Sequence, residues 1–254
     1  MRCIKLSLFI VAVLLPVVSP ASRAGAPKKF IDSELSGWEG LMEYWTYKDG
    51  ALVGATPKGL KFNTFLCSKK KYGDFELKFQ VRLKNGDGNS GVQIRSKIIN
   101  EKQFAVGGPQ ADIGQVYWGS LYGEHFGGMM KQAPTELVKK ILKEKDFNDY
   151  YIKVVGDHVT IKLNGETTVD GDFPKMPKEG IIAWQLHTGP PMEVTFKKIQ
   201  FKDLSSKSPG EKKSSPKKLD SGASTTPEGS SVYEEPARRG LFPNLRARMG
   251  RFRR

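Results

Sequence analysis

Three pairs of polar residues have a spacing that could bring chemical groups together. The two residues of a pair are two positions apart, so both side chains project from one face if the segment is a β-strand. Amide, carboxyl, guanidinium and imidazole groups in this arrangement suit the hydroxyl groups of a sugar. The alternative is the ordinary polar outer face of an antiparallel sheet. The pairs are Gln93 and Arg95, Gln110 and Asp112, and Gln185 and His187.

Aromatic residues lie close to the second pair, in a glycine-rich segment. Trp118, Tyr117 and Tyr122 are candidates to stack on the face of a pyranose ring. Glu124 and His125 follow in the same segment and are further candidates to line a site. Together these residues predict a concave substrate-binding site. The predicted sugar-binding residues are Gln93, Gln110, Trp118, Tyr122 and Gln185.

No motif indicates a metal site, although a divalent metal is left open. His125, His158 and His187 are scattered along the chain, and there is no HExxH motif and no pair of neighbouring cysteines. Cys67 lies in the strand-like run Phe65-Leu66-Cys67 with no histidine or acid beside it. A small buried thiol is therefore favoured over a catalytic one.

Alternation of apolar and polar residues predicts the elements that position these groups. From Phe75 to Leu83 every second residue is apolar, which is typical of a strand with one buried face. Asn164-Gly165 predicts a tight hairpin turn between two strands, and the loss of alternation at Lys197-Lys198 predicts a bulge. Only Pro134 to Lys143 has a helical pattern. The other predicted strands are Trp45–Lys48, Ala51–Gly54, Ser90–Ser96, Tyr150–Val155, His158–Leu163, Glu166–Val169, Ile181–His187 and Val194–Phe201.

The number and length of these elements predict the fold class. Residues 28–204 are enough for one core and too few for two comfortable ones. Many short strands separated by Gly, Asp and Asn turns, with one short helix, indicate an all-β protein, a β-sandwich or jelly roll.

The N-terminal segment has the order of features found in secretory signal peptides. Basic residues precede an apolar run from Leu6 to Val18, and small residues follow it. The run is shorter than the roughly 20 residues that span a bilayer as a helix. We therefore predict a signal peptide over residues 1–26, export to the periplasm or the medium, and no integral membrane segment.

The C-terminal segment has the composition of a disordered tail. Residues 205–254 are rich in Ser, Lys, Pro, Gly and Arg and have little apolar content. Residues 1–26 and 203–254 together carry +9 of the formal net charge of +14. The charge is thus no argument for nucleic-acid binding by the central domain, whereas the basic tail could contact acidic surfaces. A merely solubilising tail is the alternative.

Five short motifs, in order along the chain, resemble the 3-keto-disaccharide hydrolase family. The resemblance implies a concanavalin-like jelly roll and action on glucosides already oxidised at C3. The motifs are Leu35–Trp38, Tyr72–Leu77 with Gly88–Arg95, Gly107–Gly114 with Gly119–Gly123, Leu163–Gly165, and Gly180–His187 with Val194–Ile199.

The chemistry that this resemblance implies assigns roles to three residues. A ketone at C3 acidifies the proton on C2, so that a base can start the elimination of the C1 substituent, and water then adds. Asp112 or His187 is expected as the base, and Arg95 or a bound metal as the group that stabilises the oxyanion. The Glu-x-Asp-x-x-Glu motif of many jelly-roll glucanases is absent. The main alternative is a non-catalytic sugar-binding module of the same fold.

Overall fold

A computed structural model describes residues 29–205, which form two packed antiparallel sheets and one short α-helix. The predicted signal peptide and nearly all of the predicted tail lie outside the described residues. The elements are β1 Trp38–Glu39, β2 Trp45–Lys48, β3 Ala51–Thr56, β4 Thr64–Tyr72, β5 Phe75–Leu83, β6 Ser90–Asn100, β7 Ala105–Ile113, β8 Leu121–Glu124, β9 Gly128–Lys131, α1 Thr135–Ile141, β10 Asn148–Val155, β11 His158–Leu163, β12 Glu166–Asp172, β13 Gly180–Leu186 and β14 Met192–Asp203.

Each sheet has seven strands within the described part of the chain. The site sheet has the order β1-β4-β13-β6-β7-β8-β9, and the back sheet has the order β12-β11-β10-β5-β14-β3-β2. Strands that are distant in sequence thus become neighbours, as in a jelly roll. The predicted all-β sandwich is confirmed. No helix among residues 29–205 has the length and apolar character needed to cross a membrane.

The core lies between the two sheets and follows the alternation of the sequence. Phe75, Leu77, Phe79, Val81 and Leu83 are all at most 3% exposed, whereas the intervening residues of β5 reach solvent. This confirms the strand predicted from the two-residue period. In the middle of the core the Trp184 ring contacts aromatic rings of both sheets.

The predicted turns and the bulge are present. Asn164 and Gly165 have positive φ angles of 50° and 91°, as the tight turn between β11 and β12 requires. Lys198 also has a positive φ angle, and the pairing of β14 with β5 shifts between Lys197 and Gln200. The α-helix is shorter than its pattern, because it begins at Thr135 and ends at Ile141.

A second, smaller apolar cluster, the outer apolar cluster, covers part of the outer face of the site sheet. Its buried members are Phe65, Cys67, Val106, Ile181 and Ala183, and Phe104 packs against them. The turn that carries Phe104 is tied to the sheet by a 2.7 Å hydrogen bond from the Thr64 hydroxyl to the Gln103 carbonyl. Only the remaining part of this outer face is open to a ligand. Cys67 is fully buried here, as predicted.

Candidate functional site

An open pocket of about 180 Å³ lies on the outer face of the site sheet, beside the outer apolar cluster. Strands β7, β8 and β13 supply most of its walls, and the short 3₁₀ turn after β7 supplies another. Two of the three predicted pairs meet here, although they are more than 70 residues apart in sequence. The lining residues are Asn89, Gln110, Asp112, Tyr117, Tyr122, Glu124, Gln185 and His187.

Three hydrogen bonds hold the backbone of Asp112 in the pocket. Its backbone N–H donates to Ser120 O at 3.0 Å, and its carbonyl accepts from the Gly119 N–H at 3.1 Å. The Tyr150 hydroxyl, from the back sheet, donates to the same carbonyl at 2.9 Å. Because the backbone is fixed from both sheets, the carboxyl group has a defined position in the pocket.

The environment of Asp112 favours the protonated carboxyl group. Asp112 is 4% exposed, and burial raises its pKa to about 7. A hydrogen bond with Gln110 opposes this shift, and the negative charge of Glu124 adds to it. A carboxyl group whose pKa is near neutral can donate or accept a proton at physiological pH, which suits acid–base catalysis.

His187 follows directly after β13 and lines the opposite wall. Its Nδ1 lies 2.6 Å from the Thr188 carbonyl oxygen. Because a carbonyl can only accept, Nδ1 must carry the proton, and in the neutral ring Nε2 is then free to act as a base. The side chain is thus oriented by its own neighbour in the chain.

Asn63 and Glu124 form a hydrogen-bonded bridge, the wall, across the outer face of the site sheet. The Asn63 amide donates to Glu124 Oε1 at 2.9 Å, and its carbonyl accepts from the Thr188 N–H at 2.8 Å. Asn63 precedes β4 and Glu124 ends β8, so this bridge spans three intervening strands. Sequence reasoning missed Asn63, because nothing local signals a contact across 61 residues. Asn89, which immediately precedes β6, also lines the pocket.

Gln110 occupies the floor of the pocket and needs space provided by its neighbour Gly91. A Cβ atom at Gly91 would lie 2.5 Å from the Gln110 side chain. The Gln110 amide lies 2.6 Å from Asp112 Oδ1 and 3.2 Å from Gln185 Oε1. Gln93, which the sequence predicts as a sugar ligand, lies beside Gln110 on the neighbouring strand β6. It is fully buried, contacts Gln110 at 2.9 Å and does not line the pocket.

Arg95 lies away from the pocket, contrary to the prediction that it faces the same way as Gln93. Its φ angle is +48°, and the pairing of β6 with β7 shifts between Gln93 and Lys97. This bulge turns the side chain toward one end of the sandwich. There the guanidinium donates to Asp74 at 2.7 Å and to three backbone carbonyls, those of Gly73, Gly156 and Pro177. Its observed contacts are structural.

Trp118 is also placed differently from the prediction of a stacking platform. The side chain is 3% exposed and belongs to the core between the sheets. A ring that stacks on a sugar must present one face to solvent, which this ring does not. Tyr117 and Tyr122, in contrast, line the pocket.

The remaining histidines do not gather at the pocket. His158 is exposed on the back sheet between Asp170 and Asp172, and His125 lies 3.8 Å from Glu124 with its ring largely in solvent. Among residues 29–205, no group of three or more His, Cys, Asp or Glu side chains is arranged to hold a metal ion.

The fold is shared by a solved structure, and a second one is similar at a lower TM-score. A protein of Parabacteroides distasonis ATCC 8503 described as a candidate glycosyl hydrolase is 21% identical, with a TM-score of 0.51 over 70% of this chain and 98% of that one. The carbohydrate-binding module CBM66 of Bacillus subtilis is 16% identical, with a TM-score of 0.49 over 66% of this chain and 96% of that one. No curated protein matches the sequence.

The family of the chain follows from the match to a family model. The model describes a 3-keto-alpha-glucoside-1,2-lyase-like domain and matches residues 27–202, more than two thirds of the sequence. These residues include every strand of both sheets except the last residue of β14, and all the groups of the pocket. The chain belongs to the 3-keto-alpha-glucoside-1,2-lyase-like domain family.

Proposed function

We propose that the protein cleaves 3-keto-glycosides in this pocket, by elimination across C1 and C2 followed by hydration. The observation that carries the proposal is the pairing of a buried, readily protonated carboxyl group with an imidazole whose Nε2 is free, in one pocket of a chain from this family. An elimination of this kind needs one base and one acid.

In the elimination step His187 is the base and Asp112 the acid. His187 Nε2 takes the proton from C2, which the neighbouring C3 ketone has made acidic. The electron pair forms the C1–C2 double bond, and the C1–O bond breaks. Asp112 gives its proton to the departing oxygen, so that the aglycone leaves as a neutral alcohol.

Hydration returns both groups to their starting states. Water adds to C1 of the 3-keto-2-hydroxyglucal intermediate and gives a proton to the Asp112 carboxylate. The His187 imidazolium returns its proton to C2. The sum is one glycoside and one water converted into one 3-keto sugar and one alcohol, with no net change in the protein.

Neutral donors are the protein groups available to the enolate oxygen. Among residues 29–205, no lysine or arginine lines the pocket. The Asn89 amide and the hydroxyl groups of Tyr117 and Tyr122 are therefore the candidates in place of Arg95. Gln110 and Gln185 present amide groups to the sugar hydroxyls, and Tyr122 offers a ring face. Export, as the N-terminal segment predicts, would place this reaction in the periplasm or outside the cell.

The test is to incubate the purified protein with 3-keto-trehalose or 3-keto-sucrose, beside the unoxidised sugars and with or without EDTA. We expect release of glucose or fructose from the keto forms alone, with transient 2-hydroxyglucal product. Loss of activity in EDTA would indicate that a divalent cation takes part in the reaction. In D112N and in His187→Gln, kcat should fall by about 10²–10⁴-fold because the acid or the base is lost.

The matched control is His158→Gln, which removes an exposed imidazole from the other sheet and should leave kcat unchanged. Near-normal rates in both pocket variants would contradict the assigned roles. Binding of the keto sugars with no turnover would contradict an enzyme and indicate a sugar-binding module.

A further inference from the structure

Three buried glutamines form a hydrogen-bonded chain at the floor of the pocket and beside it, and the chain ends on Asp112. Gln93, Gln110 and Gln185 come from the adjacent strands β6, β7 and β13, and each is at most 2% exposed. The amide groups of Gln93 and Gln110 are 2.9 Å apart, and those of Gln110 and Gln185 are 3.2 Å apart. Gln110 lies 2.6 Å from Asp112 Oδ1. An amide has one accepting oxygen and one donating nitrogen, so the orientation of each group constrains the next.

The orientation of Gln93 is determined by the backbone around it. One end of its amide faces Gly108 O at 3.2 Å, Pro109 O at 3.1 Å and Ser96 Oγ at 2.6 Å. Two of these partners are carbonyls, which can only accept, so the nitrogen of Gln93 must face them. The oxygen of Gln93 then faces Gln110 at 2.9 Å and requires an N–H from it.

This requirement passes along the chain to Asp112. If Gln110 turns its nitrogen to Gln93, its oxygen faces Asp112 Oδ1 at 2.6 Å. Two oxygen atoms at this distance need a proton between them, and only the Asp112 carboxyl group can supply it. With Gln110 in the opposite orientation, the buried Gln185 Nε2 has no hydrogen-bond partner. If the Gln110 and Gln185 amides are both turned over, Gln185 Nε2 donates to the Gln110 oxygen.

We propose that Gln93 is a positioning residue, which acts through Gln110 to keep a proton on the Asp112 carboxyl group and so prepares it as the acid of the reaction. The catalytic meaning of this chain rests on the function proposed above, whereas the hydrogen-bonded chain itself does not. Gln93 acts at a distance, because Gln110 lies between it and Asp112.

Titratable side chains from other elements face Asp112 or its backbone. Glu124 and Tyr122 approach from β8, Tyr117 from the 3₁₀ turn and His187 from the end of β13. Tyr150 reaches the Asp112 backbone from the back sheet. Burial and the charge of Glu124 both raise the pKa of Asp112. A Gln110 nitrogen facing Asp112 would oppose them, and a Gln110 oxygen facing it removes that opposition.

The test is an NMR titration that needs no substrate. Protein labelled with ¹³C at the aspartate carboxyl carbon is titrated, with D112N to assign the Asp112 signal. We expect a midpoint at or above pH 7, as burial dictates. The side-chain ¹⁵N signals of Gln93 and Gln110 should move with the same midpoint. In Gln93→Met the Gln110 amide can turn its nitrogen to the carboxylate, and the midpoint should fall by about one pH unit or more, a tenfold change in proton affinity.

The control is Gln80→Met, because Gln80 also bonds an aspartate, Asp149, but on the back sheet at 2.9 Å. It should leave the Asp112 midpoint unchanged. An unchanged midpoint in Gln93→Met would overturn the proposal. If that variant does not fold, the unsubstituted protein decides, since amide signals that stay fixed while Asp112 titrates would overturn it equally. Failure to turn over keto sugars, with the titration as expected, would count against the proposed function alone.

Discussion

At the scale of single residues, the acid role proposed for Asp112 carries a cost in folding free energy. Its pKa is raised from 3.8 to about 7, chiefly by burial. In the unfolded chain the same group ionises near pH 4. The folded state therefore binds the proton more strongly than the unfolded state. Between these two pH values the folded state loses stability as pH rises, because folding then requires either proton uptake or a buried charge.

Replacing Asp112 by asparagine should stabilise the fold at alkaline pH, since the amide cannot ionise. Each pKa unit corresponds to about 1.4 kcal/mol, so the free energy of unfolding of D112N should exceed that of the unsubstituted protein by on the order of 2–4 kcal/mol at pH 8. Near pH 4 this gain should vanish. Urea denaturation of both proteins at the two pH values measures the difference.

The control for this comparison is Asp149→Asn, which neutralises an exposed aspartate that also bonds a glutamine. Its effect should be small at both pH values. An equal gain for D112N at pH 4 and pH 8 would mean that the Asp112 carboxyl is not the group that loses its proton in between.

At the scale of elements, the left-handed backbone conformation of Arg95 interrupts the alternation of side chains along β6. Before Arg95 the strand alternates as its sequence predicts, with Val92 and Ile94 in the core and Gln93 on the outer face. At Arg95 the bulge breaks the alternation, and the side chain joins three segments at one end of the sandwich. The part of β6 before Arg95 thus lies beside the pocket, and Arg95 itself links segments at one end of the sandwich.

Removing the Arg95 guanidinium should destabilise the protein without touching the chemistry. Arg95→Met removes the donor to three carbonyls and one of the two donors to Asp74, which keeps the Gly156 N–H. Because the three carbonyls lose this partner, the free energy of unfolding should fall by about 3–5 kcal/mol. The kcat of the folded fraction should stay within about twofold, since the pocket lies elsewhere. Chemical denaturation and active-site-normalised rates measure the two effects.

Arg82→Met is the control, because Arg82 only lies over the Phe147 ring at the surface of the back sheet. We expect less than about 1 kcal/mol from it. A large loss of kcat in Arg95→Met with stability intact would restore Arg95 to the catalytic role that the sequence suggests.

At the scale of the whole molecule, features that depend on neighbouring residues were predictable from the sequence, and features that depend on strand order were not. The strand from Phe75 to Leu83 and the Asn164-Gly165 turn were predictable, since a two-residue period and a turn dipeptide depend only on neighbours in the chain. Asp112, His187 and the amides of Gln110 and Gln185 were predictable as candidates. A shared site was predicted from the residue types, but the strand order that brings these residues into one pocket was not, because it depends on contacts between segments far apart in the sequence.

The errors at Arg95 and Trp118 have the same origin. The face that Arg95 occupies depends on a bulge, which the alternation of its own strand does not reveal. Whether the Trp118 ring faces the core or the solvent depends on how the turn after β7 packs on the back sheet. There the Thr168 hydroxyl donates to the neighbouring Gly119 carbonyl at 2.8 Å.

The burial of Cys67 provides a probe of the opening of the whole fold. The thiol is fully buried, and burial raises its pKa to about 12, so the native state has almost no reactive thiolate. In a Cys3→Ser variant, which leaves Cys67 as the single thiol of the sequence, labelling with a disulfide reagent should be at least about 100-fold slower than in denaturant. Its rate should follow global stability, and Arg95→Met should accelerate it. Rapid labelling of the native protein would contradict a closed outer apolar cluster.

The wall made by Asn63 and Glu124 bears on the size of the glycan that the protein would process. It crosses the outer face from the segment before β4 to the end of β8, and beyond it the outer apolar cluster occupies the sheet. Under the proposed function, a polysaccharide lying along the whole face would have to displace this bridge. One oxidised sugar and its leaving group would enter from a single side. Metabolic flux through such a site would depend on the supply of small glycosides and chain ends, not on polymer length.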